Sequence, residues 1–182
     1  YLATVTLRAD GSSKFAKGNR WGLFPAGALA WRISNEDFLK DNQVVSNLKL
    51  RLSYGTSGND RIDADLYQKL YRVNSARPAG WGEVSHYYYE FYNSKYVYNP
   101  DVKWETTITR NIGLDFGFFK ERLSGTIDVY WNTVKDLLVP SDIPGYTGYT
   151  KLMTNVGQTS NRCIELQLNA WLVETKDFSL NA

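Results

Sequence analysis

The chain has 182 residues, 21 basic against 19 acidic side chains, and aromatic rings at 15% of its positions. Because the charges nearly cancel and Lys and Arg form no run, the sequence lacks the basic surface that nucleic-acid binding requires. The longest uncharged apolar run, residues 21–31, is about half of the roughly 20 residues that a membrane-spanning helix needs, whereas a tilted strand crosses a bilayer in about 9–11 residues.

Alternation of apolar and polar residues dominates the chain and predicts an all-β fold. Strands are predicted in turn at residues 1–7, 48–54, 103–118 and 123–138 and from 164 onward. The second of these has an apolar face and a polar face, formed by Leu48, Leu50, Leu52 and Tyr54 against Lys49, Arg51 and Ser53. The later strands divide in the same way, with Arg110 as the one charge on the apolar side of its strand.

The predicted connections alternate between long and compact. Long ones lie near residues 10–20, at 59–102 and at 139–155, and compact ones lie at 34–47, at Lys120-Glu121 and at 175–177. Consecutive antiparallel strands deliver their connections to opposite ends, so the long loops share one end. Two predicted strands of roughly 15 residues also exceed the usual length of about 5–6. These features predict a segment of a large transmembrane β-barrel with long extracellular loops and short periplasmic turns.

Five blocks follow one another along the chain: RADGSSKF at 8–15, WGLFP at 21–25, NLKLRLSYGTSGN at 47–59, NPDVKWETT at 99–107 and NIGLDFGFF at 111–119. Their content and order resemble the pattern of SusC/RagA-type TonB-dependent transporters, and the likeness covers most of the chain. Small departures occur at Ala26, where Ser is more usual, and at the Arg162-Cys163 pair.

The resemblance implies a bacterial outer-membrane protein, of the kind found in Bacteroidota, with a 22-stranded barrel and an N-terminal plug domain. It also implies a TonB box and a SusD-like lipoprotein lid. Residues 1–182 would then be an internal segment of about seven barrel strands, with the plug domain and TonB box outside this chain. The implied activity is TonB-driven import of a nutrient oligomer, a glycan or a peptide. The barrel that performs it would be surrounded by outer-membrane lipid.

The longest predicted loop is rich in rings, and Tyr96 and Tyr98 follow it. Flat rings with polar tips stack on sugars or bury a peptide and lose little rotamer freedom on binding. The candidate residues for ligand or lid contact are Trp81, His86, Tyr87, Tyr88, Tyr89, Phe91 and Tyr92. The alternative is that alternate rings only pack a loop hairpin above the membrane.

A second group of rings lies near predicted strand ends, where amphipathic rings favour the boundary between membrane and water. The candidate membrane-interface residues are Trp21, Trp31, Trp104, Tyr130 and Trp131. The alternative for this group is packing inside a soluble core.

Enzyme and cofactor chemistry has little support in the sequence. His86 is the only histidine, no Ser or Cys lies in a nucleophile motif, and we therefore predict no catalytic residue and no cofactor. Asp128 and Glu165 lie on the polar sides of separate strands and could resemble the two catalytic carboxylates of a glycosidase. A simpler explanation is that both are hydrogen-bonded residues of a polar barrel wall. The single cysteine, Cys163, has no partner for an internal disulfide.

No metal site is predicted either. Residues 55–60 resemble a phosphate loop only superficially, because they lack its Lys-Ser/Thr ending and following helix, and we interpret them as a bend from strand to loop. Asp60, Asp63 and Asp65 offer oxygen ligands for calcium, but without the spacing of an EF-hand, so a solvated loop is favoured.

One other class of protein explains the rings and the alternation. A secreted β-sandwich that binds carbohydrate, or an adhesin module, would also have strands with one apolar face. It would not explain the sorted loops or the long strands.

Overall fold

The computed structural model describes residues 1–39, 42, 44–79, 86–91, 95–174 and 179–181. Its main sheet consists of β1 (Leu2–Gly11), β2 (Trp21–Arg32), β3 (Val45–Asn59), β7 (Glu105–Phe118), β8 (Leu123–Lys135), β11 (Gln158–Glu174) and β12 (Ser179–Asn181). These seven strands are neighbours in that order, and every pair is antiparallel. The predicted all-β fold of about seven antiparallel strands is therefore confirmed.

Shorter elements occupy two of the connections. Strands β4 (Tyr71–Ala79) and β5 (His86–Phe91) form a two-stranded sheet, and β6 (Tyr96–Val97), β10 (Lys151–Asn155) and β9 (Leu138–Asp142) form a three-stranded one. Single 3₁₀ turns lie at Ile33–Asn35 and Gly145–Thr147. The described residues include no helix with the length and apolar character needed to cross a membrane.

The connections alternate between the two ends of the sheet as predicted, but their lengths sort only in part, because residues 12–20 form a shorter connection than residues 33–44. Residues 12–20, 60–104 and 136–157 join strands at one end of the sheet, which we call the long-loop end. Residues 33–44 and 119–122 join strands at the other, the short-turn end. The turn after β7 is tight, with Phe119, Lys120 and Glu121 at φ angles of 56°, 57° and 64°.

The predicted end of the strand at residues 48–54 is wrong. The bend expected at residues 55–60 is instead the last part of β3, which continues to Asn59. The reason is cross-strand pairing, because Ser57, Gly58 and Asn59 lie opposite Thr107, Thr106 and Glu105 of β7. The side-chain amide of Asn59 also donates to Glu105 Oε1 at 2.9 Å.

The strand register gives the sheet two chemically distinct faces. Residues that pair across a sheet project to the same side. A row of paired residues across the strands is therefore mainly apolar or mainly polar. One such row consists of Leu29, Leu52, Ile112, Val129 and Ile164. We call this side the apolar face. The opposite side, with Ser53, Asn111 and Asp128, is the polar face.

The apolar face is exposed in the part of the chain that the structure describes. Val5 is 87% exposed, Ile164 74% and Leu166 61%. A sandwich would bury these side chains against a second sheet, and the described residues form no such layer. Contiguous apolar patches above a few hundred Å² are rare on soluble proteins and indicate a partner or a membrane. The apolar face therefore requires an apolar medium.

A pair of neighbouring substitutions in β11 tests this assignment. Leu166→Arg places a charge on the apolar face, and Gln167→Arg places the same charge on the polar face. Near the middle of a bilayer an outward-facing Arg costs about 2–4 kcal/mol, so only Leu166→Arg should lower the unfolding free energy of the complete protein. Urea unfolding in lipid vesicles measures the difference, and equal losses in both variants would contradict the assignment.

Candidate functional site at the long-loop end

The hydrophobic core of the described residues lies in the loops and not in the sheet. Its buried side chains, which we call the loop core, are Phe15, Ile62, Leu66, Val102 and Met153. They come from all three connections at the long-loop end, and Phe15 is fully buried. Among the buried apolar side chains of the described residues only Phe24 belongs to the main sheet, because most of both sheet faces is uncovered within the described chain.

Aromatic contacts join the loop core to the sheet. The Trp104 ring lies 5.3 Å from the Phe15 ring and 5.6 Å from that of Phe24, which is a buried residue of β2. The Trp104 indole Nε1 also donates to the carbonyl of Arg20 at 3.1 Å. Side chains at Gly22 and Gly58 would collide with the Phe24 ring, so these glycines make room for the cluster.

Polar contacts connect the loops further. Ser12 Oγ donates to Asp60 Oδ2 at 2.7 Å, and Lys14 Nζ donates to the Asp60 carbonyl at 3.0 Å. Asp60 is thus engaged in holding two loops together, and the described residues contain no group of three or more carboxylate, His or Cys side chains that could hold a metal ion.

The amide of Asn155 links the second and third long connections. Its Oδ1 accepts from the Lys103 amide, and its Nδ2 donates to the carbonyls of Lys103 and Asp136, each at 2.9 Å. Nearby, Asn99 Nδ2 donates to the Met153 carbonyl at 2.8 Å. These contacts hold the loops in one arrangement.

Cations and tyrosines lie together around the loop core. Lys69 Nζ lies 5.8 Å from the ring centres of both Tyr71 and Tyr98, and Lys95 Nζ lies 5.3 Å from that of Tyr96. The hydrogen bond with the Tyr71 hydroxyl, and then charge attraction, raise the pKa of Lys69. Burial raises the pKa of the Tyr149 hydroxyl. Sequence inspection missed Tyr71 and Tyr149, because they belong to separate connections.

The candidate ligand-contact stretch is only partly within the described residues. Trp81 and Tyr92 lie outside them. His86, Tyr87, Tyr88, Tyr89 and Phe91 lie in β5, whose backbone pairs with β4 so that Tyr89 is opposite Val73 and Phe91 opposite Tyr71. This pairing places the stretch in the same long connection as Lys69 and Tyr71.

The polar face has an ion-pair network at its centre. Arg51 Nη2 lies 2.8 Å from Asp115 Oδ1 and 3.0 Å from Asp128 Oδ2, and Lys49 Nζ lies 3.5 Å from Asp115 Oδ2. Asn111 Nδ2 donates to Asp128 Oδ1 at 3.1 Å. A Cβ at Gly113 would lie 2.7 Å from Arg51 Cζ, so glycine there leaves space for the guanidinium.

Asp128 and Glu165 are directly opposite each other on β8 and β11. Asp128 pairs with Arg51, and Glu165 Oε1 accepts from the Tyr130 hydroxyl at 3.0 Å. Both carboxylates are therefore part of the polar wall. Because Tyr130 contacts Glu165, it projects to the polar face, opposite to Trp131 beside it.

The other rings predicted at the membrane interface lie in two places. Trp21, Trp31 and Trp131 belong to rows of the apolar face, and Trp21 is 75% exposed. Trp31 stacks on Tyr1 at 6.1 Å and donates from Nε1 to Glu36 Oε1 at 2.8 Å. Trp104, in contrast, packs in the loop core.

Comparison with known proteins identifies the family to which this architecture belongs. The family model described as TonB dependent receptor-like, beta-barrel matches residues 1–182. The chain belongs to this family. TonB-dependent receptors of this kind lie in the bacterial outer membrane and are not enzymes. The apolar face therefore meets lipid, and the secreted β-sandwich considered above is wrong.

Individual relatives agree with this assignment. The TonB-dependent receptor SusC of Bacteroides thetaiotaomicron is 45% identical over 98% of this chain, and the TonB-dependent receptor P3 of Formosa agariphila is 34% identical over 98%. The solved structure of the RagAB peptide importer in its open-open state matches 98% of the chain with a TM-score of 0.82 and 30% identity. The chain spans 18%, 17% and 19% of these proteins, respectively.

Phe15→Ala tests whether the loop core holds the loops of this TonB-dependent receptor together. The substitution empties a fully buried site and should cost about 3–5 kcal/mol of local stability. We expect faster proteolysis of the loops in the complete protein, while the barrel keeps its heat-dependent shift on gels. Phe38→Ala, at a 71% exposed ring near the short-turn end, is the control. Loops that resist protease equally in both variants would refute the role.

Arg51→Met tests the polar network. Without the guanidinium, Asp115 and Asp128 keep fewer cationic partners, and charged hydrogen bonds are worth about 1.5–3 kcal/mol each. We expect a loss of unfolding free energy of about that size. Arg8→Met breaks the more exposed Arg8–Asp10 pair and should cost at most about 1 kcal/mol. Urea unfolding of the complete protein compares them, and equal costs would argue against a stabilising network.

Proposed function

We propose that the complete protein imports a nutrient oligomer, a glycan or a peptide, across the outer membrane with energy delivered through TonB. In this proposal residues 1–182 supply barrel wall, lumen lining and outer loops. A plug domain and a TonB box belong to other parts of the complete protein, and a SusD-like lipoprotein forms the lid. The name of the RagAB peptide importer supports a peptide cargo, and aromatic rings with polar tips in the longest connection also suit a glycan.

The observation that carries the proposal is the packing of three loops, two of them long, into one unit at a single end of a two-faced sheet. Long loops of outer-membrane barrels are extracellular, so this unit meets cargo before the lumen does. Loops joined by a buried core lose little freedom on binding, which favours affinity. The polar face below supplies charged and amide groups along a hydrated path.

Within this unit we propose that the rings of the longest connection contact cargo or lid. The residues are Trp81, His86, Tyr87, Tyr88, Tyr89, Phe91 and Tyr92. Support comes from the neighbouring Lys69, Tyr71 and Tyr98, which set cations beside ring faces. Such rings stack on sugars and also bury apolar parts of peptides.

The rings on the apolar face have a separate proposed role. Trp21, Trp31 and Trp131 project toward lipid from near strand ends, and we propose that they lie at the membrane-water boundary. The proposal does not extend to Trp104 or Tyr130, whose contacts are with the loop core and with Glu165.

Uptake in the native host tests the proposed import. Cells with the wild-type protein, without its TonB box, or without the protein are given fluorescent oligosaccharides or fluorescent peptides from a tryptic digest. We expect accumulation of one probe class in the wild type and loss of that accumulation in both altered strains, since import against a gradient needs TonB. Uptake that persists without the TonB box would refute active import.

A further inference from the structure

Charged residues are divided unequally between the two faces of the paired ladder of β1, β2, β3, β7, β8 and β11. The described ladder places three charged residues on the apolar face, Arg110, Lys135 and Arg162, and none of them is acidic. The acidic residues of the same ladder lie on the polar face and are Asp10, Glu105, Asp115, Asp128 and Glu165. Charges that face lipid are costly and mark functional sites.

The two arginines lie at one level of the sheet. Trp131 of β8 pairs with Arg110 on one side and with Arg162 on the other. Because neighbouring strands are about 4.8 Å apart, the two backbones are about 10 Å apart across the indole. Lys135 follows on the same face of β8, about 13 Å closer to the long-loop end.

On β7, β8 and β11 this row marks the upper edge of the lipid-facing band. Toward the short-turn end the next row is Ile112, Val129 and Ile164, and below it the apolar residues continue. Toward the long-loop end the next row is Ile108, Thr133 and Ser160. Since the long loops of outer-membrane barrels are extracellular, the arginines lie where the headgroups of the outer leaflet begin.

The arginines have free capacity for an anion. Arg110 Nη1 lies 3.4 Å from Thr133 Oγ1, and its guanidinium lies 6.0 Å from the centre of the Tyr54 ring. Among the residues that the structure describes, neither Arg110 nor Arg162 forms an ion pair. The planar guanidinium matches phosphate with two parallel hydrogen bonds, so a phosphate is the best complement to this pair.

An apolar groove of about 520 Å³ lies beside Arg110 on the same face. Its walls include Val5, Leu29, Leu52 and Ile112, and Gly27 lies between Val5 and Tyr54 in the register. A Cβ at Gly27 would meet nothing closer than the Thr4 carbonyl oxygen at 3.7 Å. Packing therefore does not demand glycine at this position, and its missing side chain leaves the groove open.

We propose that this surface binds one lipopolysaccharide molecule of the outer leaflet. A lipid phosphate lies between Arg110 and Arg162 above Trp131, Lys135 reaches toward the saccharide, and an acyl chain occupies the groove beside Gly27. Three features together favour this occupant: the pair of arginines, the apolar groove beside them, and their position at the outer leaflet. A second copy of the same face would present further basic residues without a carboxylate, and it matches this surface less well.

Lipid retained by the purified complete protein tests the proposal. Wild type and variants are extracted from outer membranes in a mild detergent, and native mass spectrometry measures lipopolysaccharide per protein. The double variant Arg110→Gln/Arg162→Gln should retain at least about tenfold less lipopolysaccharide per protein than the wild type, because two charge-assisted contacts are lost. Arg32→Gln/Arg122→Gln removes two positive charges near the short-turn end and should retain lipopolysaccharide like the wild type.

A second variant separates lipid binding from folding. Gly27→Leu keeps both arginines, fills the groove with an apolar side chain suited to lipid contact, and should also lower retention. Delipidated wild-type protein should rebind lipopolysaccharide and lose that binding when the lipid is dephosphorylated. Equal retention in wild type and both variants would overturn the proposal. So would retention of a glycerophospholipid at this surface, or a change in oligomeric state with no change in bound lipid.

Discussion

A β-strand projects successive side chains to opposite faces, and in this sheet each face meets a different medium. This constraint governs the rest of the molecule. The apolar face has exposed Leu, Ile or Val side chains in each long strand, and the polar face carries the acidic residues together with Arg51 and Lys49. A one-residue slip would exchange the two faces, so continuous pairing from β1 to β11 keeps lipid and water apart.

The same constraint explains where the buried side chains are. A single sheet with no second layer has no interior, so the described core forms in the connections at the long-loop end. Phe15 and Met153 meet there although they are far apart in sequence, and Asn155 and Asp60 add polar contacts between loops. The outcome is a wall that carries a preorganised outer surface, as the proposed binding of cargo by the loops requires.

The two faces of the sheet differ in their charged residues as well as in their hydropathy. On the polar face, Arg51 is balanced by Asp115 and Asp128, and the network stabilises the wall from within. On the apolar face all charged residues of the described ladder are basic, and the two arginines flank Trp131. A hydrated lumen needs charges of both signs, whereas the outer leaflet offers anionic headgroups, so each medium selects a different charge pattern.

Residue order was sufficient for the all-β fold, the two faces of the long strands, most of the alternation of long and compact connections and the family, because period-two patterns and short motifs are local properties of the chain. It did not predict the short strands inside the connections, such as β9 and β10. It did not show that β3 continues to Asn59, that Asp60 is held by Ser12 and Lys14, or that Trp104 packs on Phe15. Those facts depend on which strands become neighbours and on how loops from distant segments pack. Such contacts follow from long-range register and shape, which only the folded chain defines.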